Sequence, residues 1–173
     1  MIRFRRLTPA VVREDHAALM RDIPLLRAWS GQDWPTPDFS VEENLVDLER
    51  HDREHEEGIA FTYSVLLDDV VVGCIYVRPF ADALTTRATE PPDDPQLLTG
   101  TAVRGWSHDV TADELIAASL AQHGADFGPT VRRWWQTNTD CPEQLAACDR
   151  LGLTDERSYT GPTTTWVLRA VPE

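Results

Sequence analysis

His51, Glu54 and His55 have the types and the spacing of a metal site. They match the motif H-x-x-E-H, which on a helix places both imidazoles on one face, as inverted zinc hydrolases require. The match lies in a highly charged segment where the apolar stripe of a predicted helix fades, and so short a motif arises easily by chance. A solvated helix end is therefore the favoured interpretation, and we expect no bound metal.

The cysteines supply the thiol chemistry of the chain. Cys141 and Cys148 fall on one predicted helix, about 10 Å apart along its axis, which is too far for a disulfide. Cys148 stands at helical spacing between Leu145 and Leu151, so it is expected to face the core as a small apolar residue. A thiol with an ordinary pKa of about 8.5 could instead exchange a proton with another thiol.

Two tryptophans and two aspartates are concentrated in the segment from Trp29 to Phe39. Trp29, Asp33 and Trp34 would suit a cationic or amine-bearing ligand through cation–π and ion-pair contacts. The same tryptophans, beside prolines, could equally form a lid packed on the core. Both interpretations stay open on the sequence.

Composition limits the classes of partner. The chain has 173 residues and a net charge of −13, with arginine but no lysine. This acidic surplus disfavours nucleic acid, whose phosphates it would repel. No apolar run is as long as a membrane span, and no leader is recognisable, so we expect a cytoplasmic protein without a membrane partner.

Periodicity and turn residues divide the chain into alternating elements within one domain. Strands are predicted at about 2–7, 61–67, 70–78, 101–106, 131–136, 154–159 and 163–168, helices at about 12–23, 41–56, 112–123 and 141–151, and an exposed, acidic, Pro-rich loop at 81–99. Asp68 and Asp69 would form the turn of a hairpin.

Residues of three helix N-termini have capping-box spacing. The pairs are Ser40 with Glu43, Thr111 with Glu114, and Asp140 with Glu143. Gly152 follows the last helix, where a left-handed residue commonly ends it. We therefore expect this helix to end at Leu151, with Leu153 folding back over it.

The closing strand and the short helix that ends in Leu151-Gly152-Leu153 resemble those of the GCN5-related N-acetyltransferases (GNATs). The element order also matches this family along the whole chain. The resemblance implies an α/β (α+β) fold, with a mixed, mostly antiparallel sheet of about seven strands flanked by four helices. It further implies one parallel strand pair, from the crossover between Thr101 and Gln136, that splays around an acyl-CoA thioester.

The resemblance implies an N-acyltransferase that uses acetyl-CoA or another acyl-CoA on an amine-bearing small molecule or peptide. It implies cofactor binding along one strand at Val103, Arg104 and Trp106. Asn138, just before the closing helix, could supply a further polar contact to the cofactor, or it could equally be a turn residue.

The family implies catalytic and substrate-binding residues as well. Cys148 aligns with the family's tyrosine general acid, and His108, just beyond the strand, could accept a proton from the amine. The acceptor would bind at Trp29, Asp33 and Trp34.

One segment departs from the family pattern. The loop from Ser107 to Asp113 lacks the glycines that normally cradle the CoA pyrophosphate, and Asp109, Asp113 and Glu114 crowd the helix N-terminus. Contacts to the pantetheine arm are therefore expected to dominate any CoA binding. A non-catalytic ligand-binding or interaction module is the alternative function, and the sequence leaves the oligomeric state open, with a homodimer among the options.

Overall fold

The computed structural model describes residues 1–81, 92–128 and 130–172. Its centre is one sheet of seven strands in the order β1-β2-β3-β4-β5-β7-β6, which confirms the mixed α/β class expected from the sequence. The strands are β1 Ile2–Arg6, β2 Phe61–Leu67, β3 Val70–Pro79, β4 Thr101–Ser107, β5 Arg133–Asn138, β6 Asp155–Thr160 and β7 Thr165–Ala170.

Six α-helices lie in the described part of the chain, two more than the sequence indicated. They are α1 Val12–Arg21, α2 Ile23–Ser30, α3 Val41–Glu56, α4 Pro95–Leu98, α5 Ala112–Phe127 and α6 Pro142–Arg150. A 3-10 turn at Pro9–Val11 leads into α1.

The additional helix α2 shows why the predicted end near Ile23 is wrong. Asp22 interrupts the helix and caps a new one by accepting a hydrogen bond from the Leu25 backbone N–H at 3.0 Å. Pro24 then lies in the first turn of α2, where its missing N–H costs no hydrogen bond. The proline therefore starts a helix instead of stopping one.

The C-terminal end of the segment predicted as a loop at 81–99 is helical in the structure. Residues Pro95–Leu98 form the one-turn helix α4, capped by Asp94, and Leu97 is only 1% exposed. Residues 82–91 of the predicted loop lie outside the described residues.

The capping boxes of α3 and α5 are confirmed, whereas the one expected for α6 is wrong. The N-cap of α6 is Cys141, which provides no side-chain cap. Asp140 instead donates its backbone N–H to the Asn138 side chain at 2.8 Å. At the other end, Gly152 has φ 73° and the Leu153 N–H donates to the Cys148 carbonyl at 2.9 Å. The predicted left-handed helix end is therefore confirmed.

Pairing in the sheet is antiparallel at every step except one. The turn between β2 and β3 holds Asp68 and Asp69 at φ 49° and 67°, as a tight two-residue hairpin requires. Strands β4 and β5 run parallel, as the predicted crossover requires, and pair only from Thr101 with Arg133 to Val103 with Trp135.

Both faces of the sheet are covered, and residues of β4 alternate between them. Val103 packs with Trp135 and Cys148 in the core beneath α5 and α6. Trp106 packs with Leu26 and other residues in the core beneath α1, α2 and α3. Neighbouring β4 residues thus reach opposite sides of the sheet.

The H-x-x-E-H segment forms polar contacts within the fold. His51 is only 3% exposed and lies 3.1 Å from the Thr62 hydroxyl, so the expectation of a solvated helix end is wrong for this residue. Glu54 contacts Arg50 and Arg78. In the described ranges, no group of three or more His, Cys, Asp or Glu side chains is placed to hold a metal ion.

No described helix is both long enough and apolar enough to cross a membrane.

Two glycine substitutions should change stability in opposite directions. Gly152 has φ 73°, whereas Gly124 lies inside α5 with its added Cβ 3.6 Å from the nearest atom. Gly152→Ala should lower the free energy of unfolding by about 1 kcal/mol through backbone strain, and Gly124→Ala should raise it by about 0.5–1 kcal/mol. Urea denaturation measures both, and a stabilising Gly152→Ala would contradict the described helix end.

Candidate active site

A gap opens in the middle of the sheet where β4 and β5 stop pairing. Their last pair is Val103 with Trp135, although β4 continues to Ser107 and β5 to Asn138. Strand alternation directs the backbone N–H and carbonyl of Gly105 into this gap. Because the neighbouring strand has moved away there, these groups need other partners.

The side chain of Gln144, from the first turn of α6, reaches into the gap. Its Nε2 donates to the Gly105 carbonyl at 3.0 Å, and its Oε1 accepts from the Trp135 indole N–H at 3.3 Å. Gln144 therefore joins the two strands at the point where their backbones separate.

A cavity of about 520 Å³ lies beside the gap. Its wall is formed by α2, the end of β4, the N-terminus of α5 and the beginning of α6. Representative lining residues are Leu25, Trp29, Trp106, Thr111, Cys141 and Gln144. The site thus combines an apolar channel with a helix N-terminus, whose N–H groups favour an anion.

Arginines pair with two of the three acids at this helix end. Arg150, from the last turn of α6, donates to Asp113 at 2.9 and 2.6 Å, and Arg21 donates to Asp109 at 2.9 Å. Each hydrogen-bonded arginine holds the pKa of its aspartate below the usual value. The acidic N-terminus is therefore partly neutralised by long-range pairs that sequence spacing did not indicate.

The two predicted catalytic residues lie on different sides of the sheet. Cys148 has no exposed surface, and burial raises the pKa of its thiol to about 12. His108 donates from Nε2 to the Ala18 carbonyl at 2.8 Å, and its ring meets Trp106 edge-on at 5.4 Å. Neither residue lines the cavity.

The predicted cofactor-binding residues lie near the gap, but their side chains have different environments. Val103 lies in the core, Trp106 lines the cavity, and Arg104 is buried at 5% exposure. Asn138 donates its side-chain amide to the carbonyls of Ala28 and Trp29 at 2.9 and 3.1 Å. Asn138 thereby ties the end of β5 to α2.

The predicted acceptor residues are not all brought together. Trp29 lines the cavity, but the Asp33 side chain is 98% exposed and lies 3.7 Å from Arg27. Trp34 packs edge-on against Phe39 and borders a separate hollow of about 390 Å³. Of this group, Trp29 alone reaches the cavity.

Sequence reasoning missed Gln144 and Arg150. Gln144 lies three residues after the helix N-cap Cys141, and Arg150 is the last helical residue. A polar residue in the first turn of this helix was the available signal for Gln144. The partner of Arg150 is 37 residues away in sequence, so only the fold identifies that pair.

No model of a known protein family matches the sequence, and no curated protein matches it either. Solved structures do match in fold. One is an acetyltransferase from Salmonella typhimurium that modifies the N-terminal serine of 50S ribosomal subunit protein L7/L12. It is 14% identical with a TM-score of 0.67, and the match covers 99% of this chain and 95% of that one.

Two further matches contain CoA or its acetyl thioester. RimL, a ribosomal L7/L12 alpha-N-protein acetyltransferase in complex with CoA, is 17% identical, with a TM-score of 0.67 over 98% of this chain and 94% of that one. AAC(6')-Ib in complex with paromomycin and acetyl-CoA is 10% identical, with a TM-score of 0.68 over 98% of this chain and 93% of that one. Over nearly its whole length, this chain therefore has the fold of the GCN5-related N-acetyltransferases.

Proposed function

We propose that the protein is an acyl-CoA-dependent N-acyltransferase that uses acetyl-CoA or a related thioester to acylate an amine. The observation that carries this proposal is the gap between β4 and β5, with the cavity of about 520 Å³ beside it. Solved structures of the same fold contain CoA or acetyl-CoA, and their named acceptors include a protein N-terminus. The acceptor of this chain is accordingly an amine on a small molecule or peptide.

The residues of the gap fit a pantetheine arm. The Gly105 N–H and carbonyl face the gap, so this residue can donate to one amide and accept from another. Rotation of Gln144 away from the Gly105 carbonyl would release that acceptor. Acyl-CoA supplies the activated thioester, while Leu25, Trp29 and Trp106 on the cavity wall exclude water from it.

The N-terminus of α5 would face the phosphates of the nucleotide. Arg150 is the cation nearest to this end on the cavity wall, but its guanidinium is held by Asp113. Phosphate binding must therefore compete with an existing ion pair. Together with the missing glycines, this competition is a physical reason to expect that the affinity for acyl-CoA depends only weakly on its phosphates.

The alternative is a non-catalytic module that binds a small ligand in the same cavity. Gln144 favours it, because its side chain already satisfies the backbone group that a pantetheine arm would use. The alternative predicts ligand binding without turnover, so turnover of acetyl-CoA in the presence of an amine panel separates the two.

Acetyl-CoA and S-acetylpantetheine should bind with similar affinity, because pantetheine contacts dominate and Arg150 is already paired. Titration calorimetry at low and physiological salt measures both. We expect less than about a fivefold difference, since exposed ion pairs contribute little. A loss of a hundredfold or more on removing the phosphates would show a strong pyrophosphate site and contradict this account.

Asp113→Asn provides the matched test of the Arg150 pair. The substitution frees the guanidinium, so acetyl-CoA should bind about two- to fivefold tighter while S-acetylpantetheine is unchanged. Glu49→Gln is the control, because Glu49 is exposed on α3 and its substitution changes the net charge equally. An equal increase in acetyl-CoA affinity in both variants would show that the change in net charge, and not the freed Arg150, causes the effect.

Cys148→Ala separates packing from proton donation. Loss of this buried side chain should lower the free energy of unfolding by about 1 kcal/mol, with turnover little changed. A thiol whose pKa is raised to about 12 is a weak donor to a CoA thiolate. A hundredfold loss of turnover with unchanged substrate binding, restored by Cys148→Tyr, would establish Cys148 as the general acid.

A further inference from the structure

Arg104 is a buried cation with no anionic partner in the described part of the chain. It is 5% exposed, and its Nη2 donates to the Trp29 carbonyl at 3.1 Å. Its Nε and Nη1 are buried with no hydrogen-bond partner among the described residues. Burying a charged group without neutralising it is costly, and this protein has acids in excess from which a partner could have come. The unpaired guanidinium therefore suggests that its partner is a ligand.

Two further hydrogen-bond donors belong to tryptophans of one core cluster on this face of the sheet. The indole N–H groups of Trp29 and Trp106 are also buried without a partner in the described part of the chain, and both residues line the cavity. The Arg104 guanidinium lies 3.8 Å from the centre of the Trp29 ring and 5.0 Å from that of Trp166. A set of donors between aromatic faces suits a group with oxygen acceptors and a negative charge.

Arg104 lies close to the proposed reaction site. Arg104 follows Val103, the last residue of β4 that pairs with β5, so it stands at the closed end of the gap. Its side chain projects to the α2 face, opposite to Val103. Trp29 forms a shared wall, since it lines the cavity and also covers the guanidinium. Rotation of the Trp29 indole would open Arg104 to the cavity.

We propose that Arg104, with the indole N–H of Trp29, binds a carboxylate carried by the amine acceptor. This inference rests on the proposed N-acyltransferase function and narrows its substrate class to amines that also bear a carboxylate. The planar guanidinium matches a carboxylate in geometry, and low exposure strengthens the charge-assisted hydrogen bonds.

The test uses phenylacetate and its uncharged analogue phenylacetamide, titrated into the protein without acetyl-CoA. Wild-type protein should bind phenylacetate at least about tenfold tighter than phenylacetamide, because hydrogen bonds to charged groups are the stronger ones. Arg104→Met should remove this preference. Equal binding of both probes to the wild type, or an unchanged preference in Arg104→Met, would overturn the proposal.

Arg157→Met is the matched control. Arg157 also lies over a tryptophan, at 5.5 Å from the Trp134 ring, but its guanidinium is already paired with Asp94 and Asp155. The preference for phenylacetate should survive in this variant, and its loss there would overturn the assignment to Arg104. Inorganic phosphate is the second probe, and phosphate binding that is tighter than that of phenylacetate and is lost in Arg104→Met would overturn the choice of a carboxylate.

Thermal unfolding distinguishes a ligand-binding role from a structural one. Arg104→Met removes an unpaired buried charge, so its melting temperature should equal or exceed that of the wild type. A marked drop would assign Arg104 to the structure of the core and overturn the proposal. Arg104→Lys provides a second variant if Arg104→Met does not fold. It should retain a weakened preference for phenylacetate, and a wild-type preference would contradict recognition by the planar guanidinium.

Failure of this proposal and failure of the proposed function are distinguishable. The anion titrations contain no acetyl-CoA, so they do not depend on acyl transfer. Binding of phenylacetate through Arg104 without any binding of acetyl-CoA would refute acyl transfer and leave the anion site standing. The reverse pattern would refute the anion site alone.

Discussion

The early end of pairing between β4 and β5 is the constraint on which the site depends. Beyond Val103 and Trp135 the two backbones no longer satisfy one another, and every buried peptide group left there requires another partner. The protein supplies one through Gln144, which accepts from Trp135 and donates to Gly105. The helix that carries Gln144 therefore holds the sheet together where it opens, and it also forms one wall of the cavity.

The electrostatics near the cavity differ from those of the whole chain. The chain carries a net charge of −13, which should disfavour an anionic cosubstrate at long range. Near the cavity, however, Arg150 and Arg21 pair with acids that would otherwise repel phosphate. Deeper in the fold, Arg104 remains unpaired among the described residues. The arrangement combines a compensated acidic surface at the N-terminus of α5 with a buried guanidinium that no acid in the described residues neutralises.

Local features of the fold were predictable because they depend on neighbouring residues. The capping boxes at Ser40 and Thr111, the hairpin turn at Asp68 and the left-handed Gly152 each follow from side-chain or backbone preferences over a few positions. The break at Asp22 was missed because Pro24 can either stop a helix or start one. Only the capping hydrogen bond of Asp22 decides between these outcomes.

The site was less predictable because its contacts join distant segments. Asn138 meets α2 across 110 residues of sequence, and Arg150 meets Asp113 across 37. Strand alternation could place Arg104 opposite to Val103, but it could not show that no acid among the described residues pairs with the guanidinium. Fold class is thus encoded in periodicity, whereas the pairing of buried charges emerges only when the elements are assembled.

Amide hydrogen exchange along β4 tests the central claim most directly. The Gly105 N–H faces the gap, so acetyl-CoA bound there should slow exchange within residues 104–107, by about tenfold at a tenfold excess over its dissociation constant. Residues of β2, outside the gap, should be unaffected and provide the internal reference. Unchanged exchange on β4 at saturating acetyl-CoA would show that the gap is not the acyl-CoA site.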